Sequence, residues 1–226
     1  MISNILCIET ATTNCSVALS IYGDEAIVRE DNAAKYSHAE RLHPYIEEVF
    51  AESKIDKNDL TAIAISKGPG SYTGLRIGVS AAKGLCYALG IPLISIPTLT
   101  ALSHKVKADK DSYIIPMLDA RRMEVYSAVF DSDYNQVRDT EAQVLEEASF
   151  SKYLEKRKVY FIGNGVAKFS EICNHPNAIF IKDTLPSATE MCQLAEAKSK
   201  IGDYEDVAYF EPYYLKDFIA GTPKKK

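Results

Sequence analysis

The sequence predicts an α/β protein built from two halves that share one β-β-β-α-β-α order. Three observations lead to it. Short apolar or alternating segments of strand length recur between Gly-, Asn- and Asp-rich turns. Two Gly-x-Gly loops, Gly68-Pro69-Gly70 and Gly163-Asn164-Gly165, each follow an apolar strand and precede a helical run. Between the two halves, the strand Pro92–Pro97 and a helix Leu99–Lys107 capped by Thr98 mark a boundary near residue 100.

The first half opens with strand Asn4–Ile8, a Thr-rich polar turn Glu9–Asn14, strand Cys15–Ile21 and, after Tyr22-Gly23-Asp24, strand Ala26–Glu30. This is a three-strand meander. Ser37-His38-Ala39-Glu40 has capping-box spacing, and Leu42, Tyr45, Ile46, Val49 and Phe50 recur at helical intervals to about Ser53. Pro44 lies inside that run and removes one backbone donor, so a kink or a late start near His43 is expected. A buried strand Ala62–Ser66 then leads through the glycine loop into a helix from Tyr72 to Leu89.

The second half repeats this order: strand Tyr113–Leu118, turn Asp119–Arg122, strand Glu124–Phe130, a third strand near Gln143–Leu145, a short helix Phe150–Glu155, strand Val159–Ile162, and a helical run Val166–Cys173. No element is assigned beyond it. The repeat is one of topology, since the first strands lie 109 residues apart and the glycine loops 95.

Composition excludes several classes. With 46% hydrophobic and 25% charged residues among 226, the chain has the balance of a water-soluble globular protein. Residues 1–99 carry 8 basic and 11 acidic groups and residues 100–226 carry 18 and 20, so neither half has the charge of a polyanion-binding domain. Five cysteines without a CxxC pair point to reduced core thiols and a cytoplasmic setting. The first residues lack a basic signal-peptide region, and no apolar run approaches a membrane span. The basic tail Lys224-Lys225-Lys226 reads as a frayed terminus.

Halves of this kind suit a ligand in the cleft between them, with turn amides and hydroxyls pointing inward and glycines admitting close approach. The layout resembles the two-lobed actin-like ATPase fold (ASKHA, ribonuclease H-like). A longer block carries a narrower resemblance: Ser66-Lys67-Gly68-Pro69-Gly70-Ser71-Tyr72-Thr73-Gly74-Leu75-Arg76-Ile77-Gly78, continued by Ala81-Ala82-Lys83-Gly84-Leu85. With Ile8-Glu9-Thr10-Ala11-Thr12, Ser37-His38, Leu118-Asp119-Ala120-Arg121-Arg122, Gly163-Asn164-Gly165 and Pro212-Tyr213-Tyr214-Leu215, it resembles the TsaB (YeaZ) family across nearly the whole chain.

The resemblance implies a non-catalytic, activating subunit of the complex that makes threonylcarbamoyladenosine in transfer RNA. Its partner would be a TsaD-like subunit that transfers threonylcarbamoyl from threonylcarbamoyl-AMP to the adenosine next to the anticodon. A TsaE-like ATPase would be a further partner, transfer RNA would be met only through the complex, and the isolated chain would form a homodimer, with no membrane contact. Residues 1–100 would form an N-terminal lobe carrying the partner-binding helices. Residues 101–226 would form the C-terminal lobe, whose last residues are candidates for packing back on the first. TsaD carries a His-x-x-x-His metal pair where this chain has Thr98 and Leu102. His38 and His43 would point about 140° apart on a helix, so no metal site and no catalytic residue are expected.

Candidate cleft residues are Glu9, Thr10, Thr12, Gly68, Gly70, Asp119, Arg121, Arg122, Gly163 and Gly165. Family members commonly carry Asp at the position of Glu9, where the superfamily's carboxylate helps hold a metal-nucleotide, so nothing beyond weak ATP or ADP binding is expected. The glycine loop lacks the Lys-Ser/Thr of a Walker loop and also suits a tight strand-to-helix turn. Arg121 and Arg122 suit a phosphate or carboxylate, or a salt bridge that sets the domain angle.

Tyr72, Arg76, Ile77, Ala81, Gly84 and Ala88 are candidate partner contacts. They belong to a helix with two apolar stripes, Leu75, Val79, Ala82, Cys86 and Leu89 on one side and Ile77, Ala81, Gly84 and Ala88 nearly opposite, with Gly74, Gly78 and Ala82 as a small-residue seam. Two rivals stay open. A small-metabolite kinase of this fold needs a carboxylate base, which Ser66–Gly74 lacks. A nucleotide sensor would be stabilised by nucleotide without turnover.

Overall fold

The computed structural model describes residues 3–31 and 37–216. Two five-stranded mixed sheets carry the chain. In the first, strands β1 (Asn4–Glu9), β2 (Cys15–Ile21) and β3 (Asp24–Asp31) form the expected antiparallel meander. Strands β4 (Ala62–Gly68) and β5 (Leu93–Pro97) add in parallel on the other side of β1, giving the order β3-β2-β1-β4-β5. The second sheet repeats it with β6 (Tyr113–Asp119), β7 (Glu124–Asp131), β8 (Gln136–Val144), β9 (Val159–Gly163) and β10 (Ala178–Lys182), in the order β10-β9-β6-β7-β8. Strand for strand the two halves match. The third strand of the second half extends well N-terminal of the short stretch expected near Gln143–Leu145, and β10 was not anticipated.

The helices differ between the halves. Helices α1 (His38–Ser53) and α2 (Tyr72–Leu89) cover the front of the first sheet. Their counterparts α4 (Ser151–Leu154) and α5 (Val166–Ser170) are stubs of four and five residues. Helix α1 starts at His38 and holds Pro44 inside, so the late start near His43 does not occur. Nor does Ser37 cap it, because the Ser37 hydroxyl donates to Asp31 Oδ2 (3.2 Å). Helix α3 (Thr98–Ser103) begins at Thr98 rather than after it and is shorter than the expected Leu99–Lys107.

The backs of the two sheets are covered reciprocally. Helix α3, which follows the last strand of the first sheet, packs on β6, β7 and β9 of the second through Leu99 and Leu102. Helix α6 (Met191–Ile201), which follows the last strand of the second sheet, packs on all five strands of the first. Its Met191, Cys192 and Ala195, with Ala188 just before it, close a core with Ile5, Cys7, Ala18, Ala62, Ala64, Ile94 and Ile96. The front core of the same sheet joins Leu6, Ile8, Val17, Leu19, Leu42, Val49, Ile63, Ile65 and Val79.

The chain then returns across the first lobe. Glu205 bridges to Leu93 on the free edge of β5, Tyr213 N donates to Lys67 O (2.7 Å), and Lys216 pairs with Glu124 of the second sheet. This segment, residues 205–216, acts as a strap across both lobes.

Two glycines of α2 have opposite surroundings. A Cβ at Gly78 would collide with the Thr10 hydroxyl and meet Ile65 Cδ1 at 3.1 Å, whereas one at Gly84 would meet nothing within 4 Å. Gly78→Ala should therefore lower stability by roughly 1–3 kcal/mol. Gly84→Ala should raise it by about 1 kcal/mol through helix propensity. Paired urea denaturation curves check both signs.

Candidate functional site

The candidate cleft residues gather as two clusters, one at the carboxyl end of the parallel strands of each sheet, where α/β folds place their ligands. In the first cluster, Glu9 ends β1, and Thr10, Ala11 and Thr12 follow it, all but Thr12 buried outright and Thr12 5% exposed. The glycine loop packs directly on this turn. Ser71 N donates to Ala11 O (2.6 Å), and a Cβ at Gly70 would collide with the same carbonyl. A Cβ at Gly74 would collide with Thr10 O. Gly68 holds φ +110°, and its Cβ would lie 2.6 Å from Tyr213 O of the strap. These glycines are needed for contacts of chain with chain.

Two further amides are also committed. Gly68 N donates to Thr98 Oγ1 (3.1 Å) and Gly74 N to Ser71 Oγ (3.3 Å). The Thr98 hydroxyl also bonds Ser66 Oγ (2.7 Å), while Leu102 lies in the second-sheet core. Among the described residues no group of three or more His, Cys, Asp or Glu side chains is placed to hold a metal ion. His38 is tied to Thr12 O (2.7 Å) and its pKa is lowered by burial, whereas His43 lines a surface groove.

Glu9 is fully buried. Its Oε1 accepts from Ala11 N (2.5 Å), and its Oε2, like Thr10 Oγ1, has no hydrogen-bond partner. Burial pushes the carboxyl up to about 7, against the pull of the Ala11 amide and with added repulsion from Glu190.

In the second cluster Asp119, Arg121 and Arg122 are exposed, and Gly163 and Gly165 are buried. Arg121 and Arg122 both adopt positive φ, 69° and 49°, which arginine rarely does. Lys168 fixes that turn by donating to Asp119 Oδ1 (2.6 Å), Arg122 O (2.8 Å) and Glu124 O (2.5 Å), while Asp119 Oδ1 accepts from Arg121 N (2.9 Å). Neither guanidinium forms an ion pair among the described residues, so the alternative of a salt bridge setting the domain angle has no partner there. Gly163 and Gly165 pack against Met117 O, and Gly165 N donates to it (3.0 Å). Sequence reasoning assigned no role to Lys168 or Lys83, and named the last residues only as candidates for packing back on the first lobe. The cluster of tyrosines near the C-terminus was the available signal.

The third region is the outward side of α2. Leu75, Val79, Ala82 and Cys86 are buried beneath it, while Arg76, Gly84 and Ala88 are exposed and Tyr72, Ile77 and Ala81 half-buried. Arg76, Ile77, Ser80, Ala81, Gly84 and Leu85 form, with His43 of α1, an open groove of about 600 Å³.

Two sheets of the same strand order with reciprocally packed closing helices define the two-lobed actin-like ATPase fold. The family described as "TsaD: tRNA N6-adenosine threonylcarbamoyltransferase" matches residues 31–222. A Haemophilus influenzae protein named tRNA threonylcarbamoyladenosine biosynthesis protein TsaB is 30% identical over 225 residues, 95% of this chain and 94% of that one. Its Escherichia coli namesake is 28% identical over 96% of both chains. A Pseudomonas aeruginosa crystal structure, described as an uncharacterized protein with similarity to peptidase YEAZ, superposes with a TM-score of 0.83 at 25% identity, covering 95% of this chain and all of that one. The chain belongs to the TsaB (YeaZ) family, within the wider family that TsaD represents.

Because the raised pKa of Glu9 means that the folded state binds a proton more tightly than the unfolded chain, its burial destabilises increasingly as pH rises from the ordinary carboxylate range through about 7. Glu9→Gln should be near neutral at pH 5. At pH 8 it should stabilise by up to roughly 3 kcal/mol, a rise in melting temperature of about 5 °C or more. Calorimetric scans at the two pH values check it.

Proposed function

We propose that this protein is a non-catalytic, activating subunit of the machinery that makes threonylcarbamoyladenosine in transfer RNA, pairing through the α1–α2 face with a TsaD-like catalytic subunit. One observation carries the pairing: α2 is a two-faced helix whose inner stripe fills the front core and whose outer stripe of small and apolar residues lines an open groove. Small side chains let a second helix approach closely, and such an apolar face is one that soluble proteins usually cover. The relatives' names supply the pathway. The non-catalytic role is supported by the fates of Thr98 and Leu102 and by glycine-loop amides already bound within the chain.

In this reading a TsaE-like ATPase joins the pair, transfer RNA is met through the complex, and the isolated chain dimerises through the same face. Weak ATP or ADP binding at the exposed Arg121–Arg122 turn is compatible with it. The kinase alternative still lacks a carboxylate base in the Ser66–Gly74 loop.

Ala81→Arg should abolish association with a TsaD-like subunit and reduce the homodimer to monomers, since a bulky charge at a helix seam costs several kcal/mol. Circular dichroism should be unchanged, because Ala81 is only half-buried. Light scattering decides it, and a folded variant that still forms both assemblies would place the interface elsewhere. Replacing Arg121 and Arg122 by alanine should shift stability by less than about 1 kcal/mol, as their side chains form no ion pairs among the described residues. The complex's modification activity, assayed by nucleoside chromatography of transfer RNA, should fall severalfold.

A further inference from the structure

The groove on α2 ends at Arg76, and that side chain is held from two sides. Its guanidinium carbon lies 4.4 Å from the centroid of the Tyr72 ring, and its Nε donates to Tyr214 Oη (3.3 Å). The Tyr72 and Tyr214 rings are themselves 5.1 Å apart. Tyr214 is brought there by the strap, and the strap is anchored along its length. Ser95 Oγ donates to Glu205 Oε1 (2.5 Å), Lys83 Nζ donates to Ala208 O (3.1 Å) and Phe210 O (3.0 Å), and Val207 and Phe210 pack on the front core. Tyr213 and Lys216 fix the far end.

Among the described residues this arrangement uses one of the five N–H donors of Arg76. No carboxylate forms an ion pair with Arg76 among the described residues, and Glu211 acts on it only at longer range. Arg76 and His43 are the ionisable residues of the groove lining, in a chain whose net charge is −5. The groove is thus apolar along Ile77, Ala81, Gly84 and Leu85 and cationic at one end. That charge distribution fits a helix that carries small apolar side chains and a carboxylate in register with Arg76.

We propose that Tyr214 is a positioning residue that holds Arg76 to bind a carboxylate on the partner helix, which makes the C-terminal strap part of the docking surface. The inference rests on the pairing with a TsaD-like subunit proposed above and adds the chemistry of that partner's contact. A guanidinium fixed before binding gives up less side-chain freedom when it meets its carboxylate, and a planar fork demands that its orientation be right. The ion pair would also make the assembly sensitive to salt.

The test measures binding of the full-length chain to the purified TsaD-like subunit from the same cell, by titration calorimetry at low and high salt. Arg76→Gln should weaken binding roughly tenfold at low salt and remove most of the salt dependence. Tyr214→Ala should cost a similar factor, and the Arg76→Gln/Tyr214→Ala double variant should be no weaker than either alone, because both disable one contact. Arg76→Lys should restore the salt dependence, and Tyr214→Phe, which keeps the ring and loses the hydroxyl, should fall between wild type and Tyr214→Ala. Additive losses, or wild-type affinity and salt dependence in Arg76→Gln, would overturn the role given to Arg76 and Tyr214. If Tyr214→Ala fails to fold by circular dichroism, the Arg76→Gln/Tyr214→Phe cycle decides in its place, with additivity again the adverse result. Absence of binding by the wild-type chain would overturn the pairing itself.

Discussion

The first sheet must be buried on both faces, and the rest of the molecule is arranged around that requirement. Every residue of β1 is buried, so its side chains need apolar cover alternately in front and behind. The front cover is local, because α1 and α2 lie between β3 and β5 in sequence. The back cover comes from α6, more than ninety residues beyond the sheet's last strand by the numbering of Pro97 and Met191. In return α3 leaves the first half to cover the second sheet. With both faces closed in this way, α2 has no further core to join on its outer side, and the groove along Ile77, Ala81 and Gly84 is the geometric remainder.

The glycines show how one residue type serves two ends in a single stretch. At Gly70, Gly74 and Gly78 the missing side chain lets the Thr10–Ala11 turn lie against the start of α2, which stiffens the floor of the cleft. At Gly84 the same absence serves nothing inside the chain. An internal glycine costs helix stability wherever it sits, so Gly84 has no compensation within the monomer. The cleft follows a similar economy. At the strand ends Glu9 is sealed and raised toward neutrality, and the loop beside it packs on Ala11 and the strap.

Much of the fold was legible because the decisive signals were local. The bounds of α2, Tyr72 to Leu89, were read as the structure has them, and the structure shows what sets them, with the Ser71 hydroxyl accepting from Gly74 N and Gly90 in the left-handed conformation. Strand β8 was truncated because Gln-Val-Arg-Asp-Thr-Glu-Ala-Gln-Val at a sheet edge has little apolar content to mark its beginning. Strand β10 and helix α6 were missed for a related reason. A five-residue edge strand is too short for periodicity, and the stripe on α6 answers to a sheet formed almost two hundred residues earlier. The turns that carry Glu9 and Asp119 were legible as strand ends, where the structure has them. What the glycines contact there, and how Tyr214 meets Arg76 across 138 positions, are long-range facts that leave no local pattern.

The exchange of closing helices also governs how the molecule can be made. During synthesis the strands of the first sheet leave the ribosome in their first hundred residues, yet the back of that sheet stays uncovered until α6 has followed. An isolated amino-terminal half would expose Ile5, Cys7, Ala64, Ile94 and Ile96 to water or to another chain. The two lobes therefore share one cooperative folding event that can finish only after α6 has emerged, and the interval before it is when the nascent protein is most open to aggregation and to chaperone capture.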